Sequence, residues 1–390
     1  MVDDDLYCSS KCKLKCCSKC LIPETQETLA YDKEGVCNVC RQVEYKKEKI
    51  DWVAREKELR KILDNYRGKY AYDCIIPFSG GKDSTFTVYK LVKDYDVKPL
   101  VVSFDHGFYR PKTLANVKKT LKKLGVDFIK YTPNWKVVKK VMLESLKRKG
   151  DFCWHCHTGI TAFPMHMAIK FQVPLLFWGE PSAEYTSYYS YEEIEKADEK
   201  HFNTFVNLGI TAEDMVGMVE GVTLRDLQFL SFPPYKDLKT LGCMPLFLGS
   251  YIPWDPKENS KLIQKELGWE GDITEGIPPD EFYYEKIECM FTGVRDYLKY
   301  LKRGFGRTTH LMSLDLRNDR ITKEKAKEFI KKYDGKRPAS LDVFLDYLDI
   351  TEEEFMEIAL SHVVAPNVPD VKNIKKGEPL PDMDQWDRTK

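Results

Sequence analysis

The central part of the chain alternates short apolar runs with longer segments whose apolar residues recur about every 3.6 positions. The short runs have the length of buried strands, and each longer segment places its apolar residues on one face of a helix. Strands and helices that alternate in this way are typical of an α/β fold with a doubly wound, mainly parallel sheet. The predicted strands are 72–78, 98–104, 127–131, 173–178 and 246–254, and the predicted helices are 84–95, 112–124, 135–149 and 160–171.

Other patterns flank this α/β unit. Residues 50–66 carry one apolar face and predict a linker helix. Helical patterns predominate after residue 255, and the end of the chain is rich in Pro, Lys and Asp, which is typical of mobile segments. The predicted units are a cysteine-rich unit of residues 1–49, an α/β domain of residues 50–255, a helical C-terminal region for substrate and partner at 256–365, and a mobile tail at 366–390.

The charge and composition of the chain limit the cellular compartments and the classes of partner that we expect. Lys plus Arg and Asp plus Glu both number 61 in 390 residues, so the net charge favours neither nucleic acid nor a membrane surface. Apolar leaders and apolar runs of about 18 residues are absent from the sequence, so we expect a cytoplasmic protein that does not span a membrane. Twelve cysteines in that compartment indicate metal binding or catalysis instead of disulfides.

Two Cys-x2-Cys pairs lie near the N-terminus. Cys17 and Cys20 form the first pair, and Cys37 and Cys40 form the second. This spacing lets two thiolates of one tight turn reach the same tetrahedral ion, and four thiolates make a closed, structural site. We therefore predict a zinc ribbon or knuckle with these four ligands. Three further thiols nearby are either idle or alternative ligands: Cys8, Cys12 and Cys16.

The first predicted strand ends in the sequence SGGKDS, residues 79–84, and a predicted helix follows. The N-terminus of a helix favours an anion because its first N–H groups are unpaired and the helix dipole is positive there. The glycines let the backbone approach phosphate oxygens, and the serines and the lysine add donors. The spacing differs from the GxxxxGK[ST] loop. The residues expected to cradle phosphates are Ser79, Gly80, Gly81, Lys82, Asp83 and Ser84.

This loop resembles the SGGxDS signature of the PP-loop ATP pyrophosphatases. That resemblance implies an adenine-nucleotide α-hydrolase-like fold that binds ATP and transfers AMP to a carbonyl-type oxygen. It also implies that Phe104 and Asp105, at the end of the second predicted strand, contact the nucleotide. Lys82, Asp83 and Ser84 are then the catalytic candidates within the loop.

The fourth predicted strand ends at Gly179 and Glu180. Ligands bind outside the carboxyl ends of the strands in a doubly wound sheet, so both residues are candidates for the nucleotide site. Mg²⁺ takes few protein carboxylates and fills its remaining positions with substrate phosphates and water. Glu180 is therefore the predicted magnesium ligand and a fourth catalytic candidate, although a solvated acid in a loop is the alternative.

A later group of cysteines allows two interpretations. Cys153 and Cys156 form a third Cys-x2-Cys pair, and Cys243 follows 87 residues after it. This layout resembles that of iron–sulfur tRNA-thiolating relatives of the PP-loop family, in which three thiolates hold a [4Fe–4S] cluster with one open iron. The alternative is that these thiols pack locally or line the substrate site, because buried single cysteines are common.

A cationic helix end is predicted at residues 295–307, where the helix stops at Gly304. Cations beside glycines suit a pyrophosphate or a carboxylate group. A simple helix end, with positive charges that complement the dipole, is the alternative. The candidate substrate residues are Lys299, Lys302, Arg303 and Arg307.

The order of these segments resembles the N-acetyl sugar amidotransferase family of bacterial surface-polysaccharide and nonulosonic-acid pathways, such as the synthesis of lipopolysaccharide O-antigen. The resemblance spans about residues 17–360. The extra cysteines around Cys17 depart from the family pattern. The matching stretches are 31–40, 79–84, 153–157, 251–254 and 299–307.

This resemblance implies a ligase-type reaction. ATP adenylates the acetamido oxygen of a nucleotide-linked N-acetyl sugar, ammonia replaces that oxygen to give an acetamidino group, and AMP and pyrophosphate are released. The chain has no cysteine in a G-x-C-x-G setting for glutamine hydrolysis, so a separate class I glutaminase subunit is implied as the source of ammonia. Two alternatives are a tRNA-thiolating enzyme and a zinc-binding interaction protein with a degenerate ATP fold. The neutral charge argues against the first, and the intact loop argues against the second.

Overall fold

The centre of the molecule is a five-stranded sheet in the order β3-β2-β1-β4-β5. The structure is a computed structural model that describes residues 14–385 apart from 185 and 187. All neighbouring strands run parallel, so the predicted doubly wound parallel sheet is confirmed. The strands are β1, Cys74–Pro77; β2, Pro99–Phe104; β3, Asp127–Tyr131; β4, Leu175–Trp178; and β5, Met244–Phe247.

The apolar runs form strands because helices cover both faces of the sheet. β2 is buried along its whole length, whereas β3 at the sheet edge is partly exposed. Ile75 of β1 pairs with Leu100 on one side and with Leu176 on the other. A strand buried on both faces needs a continuous apolar run without alternation. The predicted fifth strand, 246–254, is shorter than expected, because a 3₁₀ turn at Leu248–Ser250 follows β5 directly.

The strand order changes direction at β1. The chain continues from β1 to β2 and β3 on one side, and it returns to β4 and β5 on the other. Ligands bind in the crevice outside the carboxyl ends of the strands at such a switch point. The loop at Ser79 follows β1, and Gly179 follows β4, so both lie at this crevice.

Helices precede the sheet and cover it. Asp51 caps the second helix by accepting a hydrogen bond from the Ala54 N–H, and Gly125 and Gly150 end two later helices in the left-handed conformation. These helices are α1, Asn38–Glu48; α2, Trp52–Tyr66; α3, Lys82–Lys93; α4, Pro111–Leu124; α5, Trp135–Lys149; and α6, Trp154–Phe171.

Shorter helices connect β4 to β5, and a helical region follows β5. Gly304 ends α12 in the left-handed conformation, as the sequence predicts. In the described ranges, none of the helices combines the length and the apolar composition needed to cross a membrane. The helices are α7, Glu199–His201; α8, Ala212–Met218; α9, Tyr235–Leu241; α10, Pro256–Leu267; α11, Pro279–Phe282; α12, Thr292–Arg303; α13, Arg307–Arg317; α14, Lys323–Tyr333; α15, Ser340–Leu348; and α16, Glu352–Ser361.

The flanking units share their cores with the sheet. Cys20 of the cysteine-rich unit and Ile76 of β1 belong to one continuous apolar cluster. Val138 of α5 packs in a second cluster with Leu301 of α12 and Phe344 of α15. The predicted domain boundaries at residues 49, 255 and 365 stay a prediction.

The sequence predicts a mobile tail from residue 366, whereas its described part is anchored. The Arg337 carbonyl accepts from the Gly377 N–H at 2.8 Å, and Leu380 is buried. Asp382 pairs with the buried guanidinium of Arg110, with a 2.7 Å contact. A buried guanidinium requires a partner for its charge, and that requirement holds the tail against the α/β unit.

Candidate active site and metal centre

The loop after β1 forms an open cradle at the start of α3. Gly81 is the N-cap of α3, and no side chain caps the helix there. Gly80 has a φ of +82°, and a Cβ at this position would lie 2.5 Å from Val117 Cγ2. Both the backbone conformation and the available space therefore require glycine. The buried Trp269 indole N–H donates to the Gly80 carbonyl at 2.9 Å and holds the loop in place.

Two serine hydroxyls meet within the cradle. The Oγ atoms of Ser79 and Ser84 are 3.2 Å apart, and Ser84 Oγ also accepts from the Ser79 N–H at 3.1 Å. The Gly81 N–H points to Ser79 Oγ at 3.4 Å. Hydroxyl and backbone donors thus converge at a helix N-terminus, which is the arrangement that binds a phosphate.

Lys82 is a buried cation beside the cradle. Its Nζ lies 2.9 Å from Asp83 and 2.8 Å from Glu285, and its side chain is 2% exposed. Burial by itself lowers the pKa of Lys82, but the carboxylates of Asp83, Glu285 and Glu180 outweigh burial and hold this pKa well above its usual value. The ammonium group therefore keeps its charge at every physiological pH.

Glu285 connects Lys82 to the C-terminal region. Its carboxylate lies 3.5 Å from Arg307, which in turn makes two 3.0 Å hydrogen bonds to Asp296. Burial raises the pKa of Glu285, but the charges of Lys82, Lys286 and Arg307 lower it to about 2. The carboxylate is therefore ionised, and positive and negative groups alternate from the loop to α12.

A cavity of about 380 Å³, here called the loop cavity, lies over the cradle. Its volume falls within the range of about 300–1,000 Å³ that is usual for small-molecule sites. Gly80, Gly81 and Lys82 support the cradle without lining the cavity. The predicted site residues that line it are Ser79, Asp83, Ser84, Phe104, Gly179, Glu180 and Arg307.

The two predicted residues at the end of β2 have different surroundings. Phe104 lines the loop cavity. Asp105 does not, because Gly107 donates to one of its oxygens at 2.9 Å, while Lys130 and Thr132 donate to the other at 2.8 and 3.2 Å. Asp105 therefore holds the turn after β2 and has no oxygen directed at a nucleotide in this structure.

Two acids, Asp83 and Glu180, are candidate ligands for the predicted magnesium ion. Asp83 Oδ2 contacts Lys82, whereas Oδ1 is buried without a hydrogen-bond partner in the described part of the chain. Both acids line the loop cavity. A buried carboxylate oxygen without a partner is an open ligand position for a hard cation. The residues present therefore fit a magnesium ion beside the phosphates.

The predicted set of three thiols, from Cys153, Cys156 and Cys243, forms only in part. Cys153 and Cys156 line the loop cavity, but Cys243 does not. Cys243 precedes β5 at the amino end of the sheet, where its thiol contacts Met165 Sδ at 3.9 Å, while the cavity lies at the carboxyl ends. Cys289 lines the cavity with them, but among the described residues these three thiols do not form a group of potential ligands within 4.8 Å of one another. Burial raises the pKa of Cys156 and Cys289 to about 12, so both are neutral thiols.

Sequence reasoning missed the acids that the C-terminal region brings to the loop. Glu285 pairs with Lys82, and Glu288 lies so close to Gly81 that a Cβ there would be 1.6 Å from its Oε1. Both glutamates lie about two hundred residues after the loop. The signal that would have found them is the compact polar group at 285–289 within an otherwise apolar stretch.

The four predicted substrate cations separate into two pairs. Lys302 donates to the carbonyls of Lys149 and Gly150 at 2.8 and 3.1 Å, and Arg303 bonds to Glu27. These two therefore join neighbouring elements. Lys299 lies 4.2 Å from the centre of the Phe305 ring, and Arg307 lines the loop cavity.

The four predicted metal ligands come together near the N-terminus. Among the described residues, Cys17, Cys20, Cys37 and Cys40 are the one group of three or more potential ligands that lies within 4.8 Å. The Sγ atoms of Cys17 and Cys40 are 3.9 Å apart, and those of Cys20 and Cys37 are 3.7 Å apart. Tetrahedral zinc with Zn–S bonds of about 2.3 Å places its sulfur atoms roughly 3.8 Å apart. The cluster thus fits a four-thiolate metal ion.

The surroundings of this cluster suit thiolates. The Cys37 and Lys19 N–H groups point to Cys17 Sγ at 3.2 and 3.4 Å. The buried guanidinium of Arg317, at the end of α13, lies against the cluster, where the thiolate of Cys20 helps to keep its pKa raised. Cys16 instead donates to the Leu14 carbonyl at 3.4 Å. Cys8 and Cys12 lie outside the described residues.

Comparison with known proteins gives one match at the level of a family. Residues 281–367 match the family described as "LPS biosynthesis protein WbpG-like, C-terminal domain". This segment contains Glu285, which pairs with Lys82, Glu288, which lies against Gly81, and Arg307, which lines the loop cavity.

Individual relatives are more distant. An uncharacterised protein of Methanocaldococcus jannaschii is 26% identical over 144 residues, which cover 36% of this chain and 50% of that protein. The chain thus spans about half the length of the curated relative it matches.

Two solved structures have similar folds. NMN synthetase from Francisella tularensis covers 56% of this chain and 96% of its own, at 10% identity and a TM-score of 0.29. The U34-tRNA thiolase NcsA from Methanococcus maripaludis, solved with its [4Fe–4S] cluster, covers 82% of this chain and 86% of its own, at 14% identity and a TM-score of 0.34. TM-scores of this size decide nothing about activity. Residues 281–367 are thus similar to the C-terminal domain of WbpG-like proteins, and the parallel sheet with its loop at residues 79–84 has the architecture that the sequence predicts.

Proposed function

We propose that this protein is an ATP-dependent, AMP-forming amidotransferase of lipopolysaccharide biosynthesis. Its acceptor is a nucleotide-linked N-acetyl sugar, and its product carries an acetamidino group. The observation that carries the proposal is that the segment similar to a WbpG-like C-terminal domain brings Glu288 and Arg307 to the cavity over the phosphate cradle, and Glu285 to Lys82 beside it. Sugar recognition and nucleotide chemistry then share one site.

The chemistry requires an activated amide, because an amide oxygen is a poor leaving group. The acetamido oxygen attacks the α-phosphorus of ATP, the bond to the β-phosphate breaks, and pyrophosphate leaves. Ammonia adds to the activated carbon, and AMP departs with the former amide oxygen. We infer that Ser79 and Ser84 donate to the departing pyrophosphate, and that the buried charge of Lys82 next to the cradle stabilises the negative charge that gathers on it.

Two metal ions fit this proposal. Magnesium, when bound, neutralises phosphate charge, and Asp83 and Glu180 are the residues that would hold it. Zinc is the ion proposed for the four-cysteine cluster, where all four positions are protein thiolates and the role is structural.

The deciding experiment measures the products of ATP. With ammonium and a panel of nucleotide-linked N-acetyl sugars, one sugar should stimulate release of AMP and pyrophosphate. Lys82→Met should lower turnover on the order of 10²-fold or more, because it removes a charge from the leaving-group site. Lys90→Met is the matched control, because Lys90 lies on the same helix and pairs with Asp94. Release of ADP and phosphate would contradict the proposal.

Ammonia delivery is the second part of the proposal. We infer that a separate class I glutaminase supplies it, since the sequence has no candidate glutaminase cysteine. An adenylated amide is prone to hydrolysis, so a site that excludes water favours ammonia passed from a docked partner. The isolated chain should use ammonium but not glutamine. Amidine formed from glutamine by this chain alone would show that a glutaminase site had been missed.

A second candidate function is sulfur transfer to tRNA. The observation that favours it is the presence of Cys153, Cys156 and Cys289 in the loop cavity. Iron and sulfide analysis of anaerobically purified protein separates the two functions. Brown protein that loses activity in air would favour sulfur transfer, whereas colourless, air-tolerant protein would favour the amidotransferase.

A further inference from the structure

A second, larger cavity of about 890 Å³ adjoins the loop cavity. We call it the cationic cavity. It draws its walls from α5, α12 and the cysteine-rich unit. The residues that line both cavities are His157, Lys286, Arg295 and Arg307. A ligand in the cationic cavity would therefore reach the loop cavity across a shared wall.

Positive charge predominates in this cavity. Eight Lys or Arg residues and three acids line it. Each acid is already paired with an arginine, so the acids compensate the lysines only in part. The pairs are Asp151 with Arg295 at 3.1 Å, Asp296 with Arg307 at 3.0 Å, and Glu27 with Arg303.

The lysines of the cavity lack partners of opposite charge. In the described part of the chain, the ammonium groups of Lys149, Lys286 and Lys299 make no ion pair and no hydrogen bond, and that of Lys299 lies over the face of Phe305. Lys302, by contrast, donates to two backbone carbonyls. A partly buried cation without a partner has lost part of its hydration. Contacts with a bound anion would compensate for that loss.

The lowered pKa of a lysine in the cavity is consistent with this excess of positive charge. Burial, together with Arg307 and Arg303, lowers the pKa of Lys299 to about 7, against the opposing influence of Asp296 and Asp334. An anion bound beside Lys299 would raise this pKa again, so binding should be coupled to the uptake of a proton.

The same field acts on the histidine nearby. Burial and the charges of Lys299 and Arg307 lower the pKa of His310 well below its usual value. For both Lys299 and His310, burial is the larger cause, and the neighbouring cations of this cavity lower the pKa further. An anion of two or more charges is the ligand that such a cavity fits.

We propose that the cationic cavity binds the diphosphate of a nucleoside diphosphate sugar, with Lys286 and Lys299 as its principal contacts. This inference rests on the proposed function and names the subsite of its acceptor. The acetamido end of the sugar then enters the loop cavity beside Lys286 and Arg307. ATP has its own cradle at residues 79–84, so the two anions occupy separate places.

The test measures binding without turnover. The full chain is saturated with α,β-methylene-ATP, which cannot release pyrophosphate, and is titrated with inorganic pyrophosphate by calorimetry at pH 7. We expect pyrophosphate to bind, and UDP, GDP or CDP to displace it. Lys299→Met should weaken pyrophosphate binding about tenfold. Lys122→Met is the control because this exposed lysine of α4 lies outside both cavities.

The pH dependence gives an independent readout. Because free Lys299 has a pKa of about 7 and the bound form a higher one, pyrophosphate affinity should rise as the pH falls from 8 to 7. Lys299→Met should remove this part of the pH dependence. Equal pH dependence in the variant and the wild type would contradict the assignment of Lys299.

Other outcomes would overturn the proposal. Weaker binding of α,β-methylene-ATP to Lys299→Met, with pyrophosphate unchanged, would place the triphosphate in this cavity. Displacement by farnesyl diphosphate but by no nucleoside diphosphate would exclude the nucleoside. Lys286→Met gives a second variant in case Lys299→Met does not fold. If binding is as expected but no sugar supports AMP release, the proposed reaction is wrong and the anion site stands.

Discussion

The contact between Lys82 and Glu285 gives a prediction whose magnitude follows from the structure. Glu285 has a pKa of about 2 in the folded protein, compared with an ordinary value of 4.5. At about 1.4 kcal/mol per pKa unit, this difference corresponds to about 3 kcal/mol of stability. The contribution is fully present above pH 4.5 and is lost as the pH falls towards 2. This contribution is similar to the roughly 3–5 kcal/mol of stability that is lost when one partner of a buried ion pair is removed.

A double-mutant cycle measures this pair directly. Glu285→Gln should lower the free energy of unfolding by about 3 kcal/mol, and Lys82→Met by a similar amount, because each removes one member of a buried ion pair, although Lys82 keeps Asp83 and Glu285 keeps Arg307 as a second partner. The double variant should lose less than the two together, with a coupling energy of about 2–3 kcal/mol. The assay is urea unfolding at pH 7, followed by tryptophan fluorescence.

The control cycle uses another ion pair on the same helix. Lys90→Met and Asp94→Asn disrupt a more exposed contact of α3, so their coupling should stay under about 0.5 kcal/mol. Additive effects in the Lys82 and Glu285 cycle, no larger than in this control, would refute the argument. The pair would then contribute nothing beyond the burial of each side chain.

Three further outcomes are expected. Gly81→Ala should weaken binding of α,β-methylene-ATP, because its Cβ would lie 1.6 Å from Glu288 Oε1 and would displace that carboxylate, and Glu288→Ala should restore part of the binding in the double variant, which calorimetry would detect. Cys37→Ser should release the metal and lower solubility, as elemental analysis would show, and wild-type protein that folds fully without metal would contradict the structural role. Cys289→Ser should alter turnover more than Cys243→Ser, because only Cys289 lines the loop cavity.

Local patterns predicted the parts of the molecule that depend on neighbouring residues. The strand before residues 79–84, the glycine pair and the helix that follows are contiguous, so the cradle was predictable from spacing alone. Each Cys-x2-Cys pair is also local, and the four thiols form a cluster once the two pairs come into contact. Gly304 likewise predicted the end of α12 from its own conformational freedom.

The remaining features depend on register and on contacts between distant segments. Asp105 meets Lys130 because β2 and β3 align Ser103 with Lys130, and no local pattern fixes that alignment. The exchange of Cys243 for Cys289 follows from the direction of β5, which places Cys243 at the wrong edge of the sheet. Sequence spacing therefore predicted the loop at residues 79–84 and the four-cysteine cluster, but not the distant residues that contact the loop.

Helix α13 connects the four-cysteine cluster to the loop cavity. Arg307 begins this helix in the loop cavity, and Arg317 ends it against the metal ligands. Eleven residues at 1.5 Å each separate the two ends by about 16 Å. Arg303, just before this helix, also bonds to Thr25 and Glu27 of the cysteine-rich unit. The metal unit thus fixes the segment that carries Arg307, so a change at the thiolates should act on the loop cavity through the position of this helix.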